Sequence, residues 1–154
     1  MGCLPSSLAA VTRLLSLKQR SWQKGLLIVA GNINQLSTLL MGLQGHHRRE
    51  LELNWPGPIT YLVPDNGLAP RWVVGNHNTV GLRVTDHPLV QELCSISGPL
   101  VSTSANISSR PAAMSALEVR RYFRNEIDYL VPGELGHNGR PTQIRVLTTG
   151  EILR

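Results

Sequence analysis

Short apolar runs alternating with helix-period segments constrain this chain more than any other feature. Leu26-Leu-Ile-Val29, Ile59-Thr-Tyr-Leu-Val63, Thr79-Val-Gly-Leu-Arg-Val84 and the Leu100-Val101 pair have strand length and aliphatic or β-branched character. Between them lie helical patterns. Ser6 or Ser7 caps a first helix carrying Leu8, Val11, Leu14 and Leu15 on one face. Asn32 or Asn34 caps a second that runs toward Leu43, before a polar turn at Gly45-His-His-Arg-Arg49. Thr85-Asp-His-Pro88 reads as a helix start, with Asp86 as cap and Pro88 in the first turn of a helix from Leu89 to about Ile96. Ser115-Ala-Leu-Glu118 is a capping box for a helix through Phe123. Further short strands are expected near Tyr129, at Gln143–Val146 and at Glu151–Leu153. Such alternation predicts an α/β fold with a sheet of mixed strand direction. No repeat or linker divides the sequence, so residues 1–154 are expected to form one domain.

Composition narrows the partners. Fifteen Lys+Arg against 10 Asp+Glu give a net charge of +5, which favours polyanions such as nucleotides or RNA. Cys3 and Cys94 have neither metal-ligand spacing nor a disulfide framework, so a reducing cytoplasm is the simplest setting. No metal site is expected, because His46 and His47 lack a partner cluster. No apolar run reaches membrane-spanning length. Met1-Gly-Cys-Leu-Pro-Ser6 fits a myristoylation pattern, although so short a pattern also arises by accident.

The chemistry-bearing residues are few. After Leu100 and Val101 the chain breaks into Ser102, Thr103, Ser104 and Asn106, small groups able to hold phosphate oxygens, a carboxylate or a ribose at the end of a strand. The same residues also suit a plain polar turn leading to the next helix. Lys18, Arg20 and Lys24 cluster around a helix end, where they can either project into one cleft or face solvent. Arg83 sits inside an apolar strand, where a charge is costly unless Asp86 or an anionic ligand pairs with it. Gly139-Arg-Pro-Thr142 offers a further turn with a hydroxyl before a strand. Neither a G-x-x-x-x-G-K-S/T loop nor a G-x-G-x-x-G motif is present.

Taken in order, Lys18-Gln-Arg20, Lys24-Gly-Leu26, Trp55-Pro-Gly-Pro-Ile-Thr60, Leu82-Arg-Val-Thr-Asp-His-Pro-Leu89 and Ser102-Thr-Ser-Ala-Asn106 resemble the YrdC-like family of L-threonylcarbamoyladenylate synthases, its bacterial TsaC type above all. Pro141-Thr-Gln-Ile144 and Thr149-Gly-Glu-Ile-Leu-Arg154 resemble the C-terminal end of that type. The resemblance implies a twisted, open sheet with a concave basic surface. It also implies a reaction: L-threonine, bicarbonate and ATP give threonylcarbamoyl-AMP and pyrophosphate. The product feeds the modification of adenosine 37 in tRNA, with other proteins of the threonylcarbamoyl-transfer complex as partners and tRNA or double-stranded RNA as a ligand. By resemblance, Lys18, Arg20 and Lys24 hold the ATP phosphates with Mg²⁺, Thr79, Ser104 and Asn106 line the nucleotide side, and Arg154 is a late nucleotide contact. Arg83 clamps the threonine carboxylate, with Ser102 and Thr142 beside it.

The sequence also departs from the family. There, a strand, a helix and a further strand with a P-T-E-T/S motif precede the K-x-R segment. Here Met1-Gly-Cys3 stands where the following turn ends, Leu4 stands where an acidic or amide residue is common, and Ser21 replaces the usual proline. The chain is therefore expected to lack those first elements, to expose a sheet edge and part of its core, and to have an opened threonine pocket. A non-catalytic RNA- or nucleotide-binding relative is the alternative to an active synthase.

Overall fold

The computed structural model describes residues 1–133, 135 and 142–154. Among them a six-stranded sheet forms in the order β1-β5-β2-β4-β3-β6. Its strands are β1 (Gly2–Cys3), β2 (Leu27–Ala30), β3 (Ile59–Pro64), β4 (Thr79–Val84), β5 (Leu100–Ser102) and β6 (Gln143–Val146). Pairings β2–β4 and β3–β6 are parallel, while β1–β5, β2–β5 and β3–β4 are antiparallel. The mixed sheet expected from the alternation of elements is thus present.

Period-two alternation gives this sheet two unlike faces. Ile28, Ala30, Tyr61, Val63, Val80, Leu82, Val84 and Val101 point into the main core. Helix α1 (Leu8–Leu17) covers them with Val11, Leu14 and Leu15, and the short α3 (Arg71–Val74) with Val73 and Val74. Leu51 of α2 (Gly45–Asn54) completes the layer together with Leu36, Leu40 and Trp55. The opposite face carries Leu27, Val29, Gly81, Arg83, Thr60 and Ser102. Helix α4 (Pro88–Ser97) lies at the end of β2, where its buried Cys94 directs Sγ at Val29 O over 3.7 Å. Helix α5 (Ala116–Phe123) follows the β5 loop and buries Phe123.

Local chemistry explains most boundaries. Ser7 caps α1 by accepting from Ala10 N at 3.2 Å, and Ser115 caps α5 by accepting from Glu118 N at 3.2 Å. Several expectations are corrected. No α-helix follows Asn32. A 3-10 turn over Ile33–Leu36 forms instead, capped by Asn32. Gln35 anchors this turn: its Oε1 accepts from Gly31 N and its Nε2 donates to Cys94 O. Conversely, Gly45–Arg49 is the first half of α2 and not a turn. Its polar face is solvated and only Leu51 is buried, so no helical stripe marked it in the sequence. Asp86 does not cap α4. His87 occupies the N-cap without a side-chain bond, while Thr85 Oγ1 accepts from His87 N at 3.1 Å. Tyr129 is in coil and 76% exposed, so no strand forms there. At Glu151–Leu153 only an Arg145–Ile152 bridge forms. Gly2–Cys3, read as a turn remnant, pairs with β5.

One glycine ties the core to what lies at its rim. Gly75 ends α3 at φ 73° and ψ −141°, a backbone state that side chains resist. A Cβ there would meet Gln23 O and Gly25 N at 2.6 Å, in the backbone of the turn that carries Lys24. Gly75→Ala is therefore expected to cost about 2 kcal/mol or more. Chemical denaturation should show a lower midpoint at unchanged slope.

Candidate active site

The site is built where α1 stops. After the C-cap Lys18, Gln19 takes φ 50°, and Arg20 N turns back to donate to Leu15 O at 3.0 Å. This reversal aims Lys18 and Arg20 to the same side. Lys18 is only 2% exposed, so its ammonium must be satisfied internally. Its Nζ donates to Ser104 O, to Asn106 O at 2.9 Å and to Asn106 Oδ1 at 2.9 Å. Asn106 Oδ1 also accepts from Ser104 Oγ at 2.7 Å, and Asn106 Nδ2 donates to Arg110 O at 2.6 Å. Ser108 N donates to Lys18 O at 2.8 Å, which closes the loop onto the helix end. The polar run after β5 is thus fastened to α1 by one buried cation.

Arg20 and Lys24 complete the rim. Arg20 Nη2 donates to Gly25 O at 3.1 Å and to Lys24 O at 3.4 Å, while its buried Nε has no partner. Lys18, Arg20, Lys24, Thr103, Ser104, Asn106, Ser108 and Ser109 line a pocket of about 140 Å³. Three cations and a set of hydroxyls face it, with no carboxylate among the lining residues. Burial, and next the Arg20 charge, push Lys18 down to about 8, and burial lowers Arg20 as well. Concentrated positive charge without a counter-charge is what a phosphate or other anion neutralises.

The structure brings together five of the expected residues, Lys18, Arg20, Lys24, Ser104 and Asn106. Thr79 opens β4 opposite Pro64, at the same end of the sheet as the pocket but outside its lining. The remaining candidates lie along the open face. Ser102 pairs with Leu27, which pairs with Gly81, and Arg83 pairs with Val29 two residues further on. From Thr79 to Arg83 is about 13 Å of strand. Arg83 occupies the middle of the sheet, with Ser102 two strands away on one side and Thr142 two strands away on the other. Thr142 Oγ1 lies 3.2 Å from Thr60 Oγ1. Arg154 stands beside Thr142, donating from Nε to Thr142 O at 3.3 Å, and is well away from the three pocket cations in strand order. Gly139, Arg140 and Pro141 of the last expected turn lie outside the described residues.

Arg83 keeps its charge without a partner. Among the described residues no hydrogen bond or ion pair reaches its side chain; burial lowers its pKa, with Asp86 acting in the opposite sense. An unpaired, mostly buried guanidinium on an open sheet face is a ready carboxylate site. Sequence reasoning missed Thr60, Ser108 and Ser109 as site groups. The Ser108-Ser109 pair directly after the Ser-x-Asn run was the available signal. Thr60, inside an apolar strand, gave none. A larger hollow of about 800 Å³ shares Arg20 with this pocket and is lined also by Leu8, Leu15, Trp22, Arg71 and Trp72. Its surface is mostly apolar.

Among the described residues no three His, Cys, Asp or Glu side chains gather as a metal site, and no helix is long and apolar enough to cross a membrane.

Comparison with known proteins gives a consistent picture. The family model Sua5/YciO/YrdC, described as telomere recombination, matches residues 1–154. The threonylcarbamoyl-AMP synthase of Pseudomonas aeruginosa (strain UCBPP-PA14) is 51% identical over 154 residues, covering 100% of this chain and 83% of that protein. The enzyme of the same name from Pseudomonas fluorescens (strain Pf-5) is 48% identical with the same coverage. Among solved structures, P. abyssi Sua5 complexed with L-threonine superposes with a TM-score of 0.90 at 28% identity, covering 99% of this chain and 46% of that one. E. coli YciO shares the fold with a TM-score of 0.84 at 23% identity, covering 99% and 76%.

Proposed function

This chain belongs to the Sua5/YciO/YrdC family, and from that membership we propose that it is a threonylcarbamoyl-AMP synthase. It joins L-threonine, bicarbonate and ATP into threonylcarbamoyl-AMP with release of pyrophosphate. The observation that carries this reading is the convergence of Lys18, Arg20 and Lys24 with the Ser104–Asn106 loop in one anion pocket, at the end of the sheet face that holds Arg83.

The chemistry asks for such an arrangement. The threonine amine attacks the carbon of bicarbonate, a C–N bond forms, and the elements of water leave to give a carbamate. A carbamate oxygen then attacks the α-phosphorus of ATP; an O–P bond forms as the bond to the β-phosphate oxygen breaks, and pyrophosphate departs. Two anions must meet, so catalysis is mainly charge neutralisation and positioning. Arg20 and Lys24 offer free cationic groups to the phosphates, and Lys18 adds its charge from behind the loop. Thr79, Ser104 and Asn106 border the nucleotide. Arg83 holds the threonine carboxylate on the open face between Ser102 and Thr142. Arg154, hydrogen-bonded to Thr142, is assigned to the nucleotide, which it would approach from that same edge. The pocket lining has hydroxyls and cations but no carboxylate, so a magnesium ion would be held chiefly by the ATP phosphates, whose charge it would help neutralise. Threonylcarbamoyl-AMP then serves tRNA modification in the cytoplasm, handed to the proteins of a threonylcarbamoyl-transfer complex.

The test is pyrophosphate release by the purified protein. Release that requires ATP, bicarbonate and threonine together is the expected result. ATP binding with no threonine-dependent turnover would overturn it in favour of a nucleotide-binding relative.

A further inference from the structure

We propose that Glu50, Tyr61 and Arg145 form a positioning cluster that fixes the register of β6 and so holds Thr142 on the amino-acid side of the site. The inference rests on the synthase reading above. Tyr61 is fully buried, and its hydroxyl donates to Glu50 Oε1 at 2.7 Å. The same oxygen accepts from Arg145 Nη1 at 3.3 Å and from Asn54 Nδ2 at 3.2 Å. Arg145 sits 5.9 Å over the Tyr61 ring, and its Nη2 donates to Gln143 Oε1 at 3.0 Å. One carboxylate oxygen thereby joins α2, β3 and β6.

β6 needs such a device. Among the described residues its one strand partner is β3, its outer edge carries no more than the Arg145–Ile152 bridge of the terminal strip, and none of its four residues is fully buried. Within β6 itself apolar burial specifies the register weakly, the nearest buried anchor being Leu147 just beyond its end, and a one-residue slip would turn every side chain to the other face. In the observed register Tyr61 stands opposite Arg145 and Thr60 opposite Ile144, which brings Thr142 to Thr60. Thr60 is in turn the cross-strand neighbour of Arg83, one step along from the Tyr61–Leu82 pair. The terminal strip follows β6, since Ile144 N donates to Arg154 O at 2.9 Å. The Glu50 and Arg145 side chains are 41% and 26% exposed, so their ion pair adds little to global stability. Its consequence is geometric, and a misplacement of about 1 Å at a binding site can cost up to a hundredfold.

The experiment measures threonine and ATP KM values together with melting temperature. Glu50→Ala is expected to raise the threonine KM about tenfold or more. Glu50→Gln, which keeps an acceptor for Tyr61 and Arg145, should restore most of it. In a Thr142→Ala background, Glu50→Ala should add no further loss, because both act through one group. Arg145→Met retains the stem over Tyr61 and should reproduce the threonine defect if Glu50→Ala folds poorly. A lowered melting temperature with threonine KM within twofold of wild type would overturn the proposal, as would additive losses with Thr142→Ala. Absence of threonine-dependent turnover in the wild-type protein would overturn the synthase reading instead.

Discussion

Arg83→Ala is expected to weaken threonine binding about a hundredfold, the loss of a desolvated charge-assisted carboxylate contact, while ATP affinity changes by no more than a few-fold. The separation follows from position. Arg83 lies in the middle of the sheet beside Val29, whereas the cations proposed to bind phosphate ring a pocket at the end of the sheet. Arg83→Lys should recover only part of the loss, because an ammonium replaces a two-pronged donor with a point charge. Stability should move the other way. Among the described residues no partner offsets the burial of this guanidinium, so removing it should leave the fold as stable as before or slightly more so. Titration calorimetry with threonine and with ATP, alongside denaturant melts, reads both effects. Equal loss of both ligands, or a destabilised Arg83→Ala protein, would refute a dedicated carboxylate clamp.

The sequence made β4 and β6 legible residue for residue, because Thr79–Val84 and Gln143–Val146 carry strand character with turn residues on both sides. It also exposed the Ser115 cap and narrowed the first to Ser6 or Ser7, of which Ser7 is the one used, since capping chemistry is local. What it hid was decided by contacts distant in sequence. The short turn after Asn32 is held by Gln35 to Cys94 O, which lies in another element. Helix α2 exists although its first half is polar, because Leu51 reaches the core and Glu50 reaches Tyr61. Tyr129 has a strand former's side chain but no neighbouring strand to pair with. The site divides in the same way. Charged and hydroxyl-bearing residues identified most of the pocket's members, Ser108 and Ser109 excepted, yet not that Lys18 directs its Nζ to the Ser104–Asn106 loop. That fact changes what each cation does, and it leads to the sharpest mutational contrast in the molecule.

Lys18→Met should lose both the fold's margin and the nucleotide site, whereas Arg20→Ala should lose the site alone. Methionine keeps the apolar stem but leaves Ser104 O, Asn106 O and Asn106 Oδ1 facing a thioether, with Asn106 still joined to Ser104 Oγ. Stranding buried acceptors of this kind costs about 3 kcal/mol, and the loop it frees is the one that closes the cationic pocket. Arg20 donates only to Gly25 O and Lys24 O at the rim, so its truncation removes charge without undoing the loop. The pH dependence adds an independent check. Burial and Arg20 bring Lys18 from 10.5 to about 8 in the folded protein. Between about 8 and 10.5 the unfolded chain therefore binds more protons than the folded one, so this group makes stability rise with pH across that window. ATP affinity should run the opposite way and fall as pH climbs through about 8, because the neutral amine no longer offers its charge to phosphate. Binding should be accompanied by proton uptake in that range, seen as a buffer-dependent enthalpy that disappears in Lys18→Met. Binding is the right observable here, since turnover would also follow the titration of bicarbonate and of the threonine amine. An ATP affinity that stays flat from pH 7 to 9 would show that Lys18 contributes only the strut and not the charge. A loop that survives Lys18→Met with ATP binding intact would refute both roles.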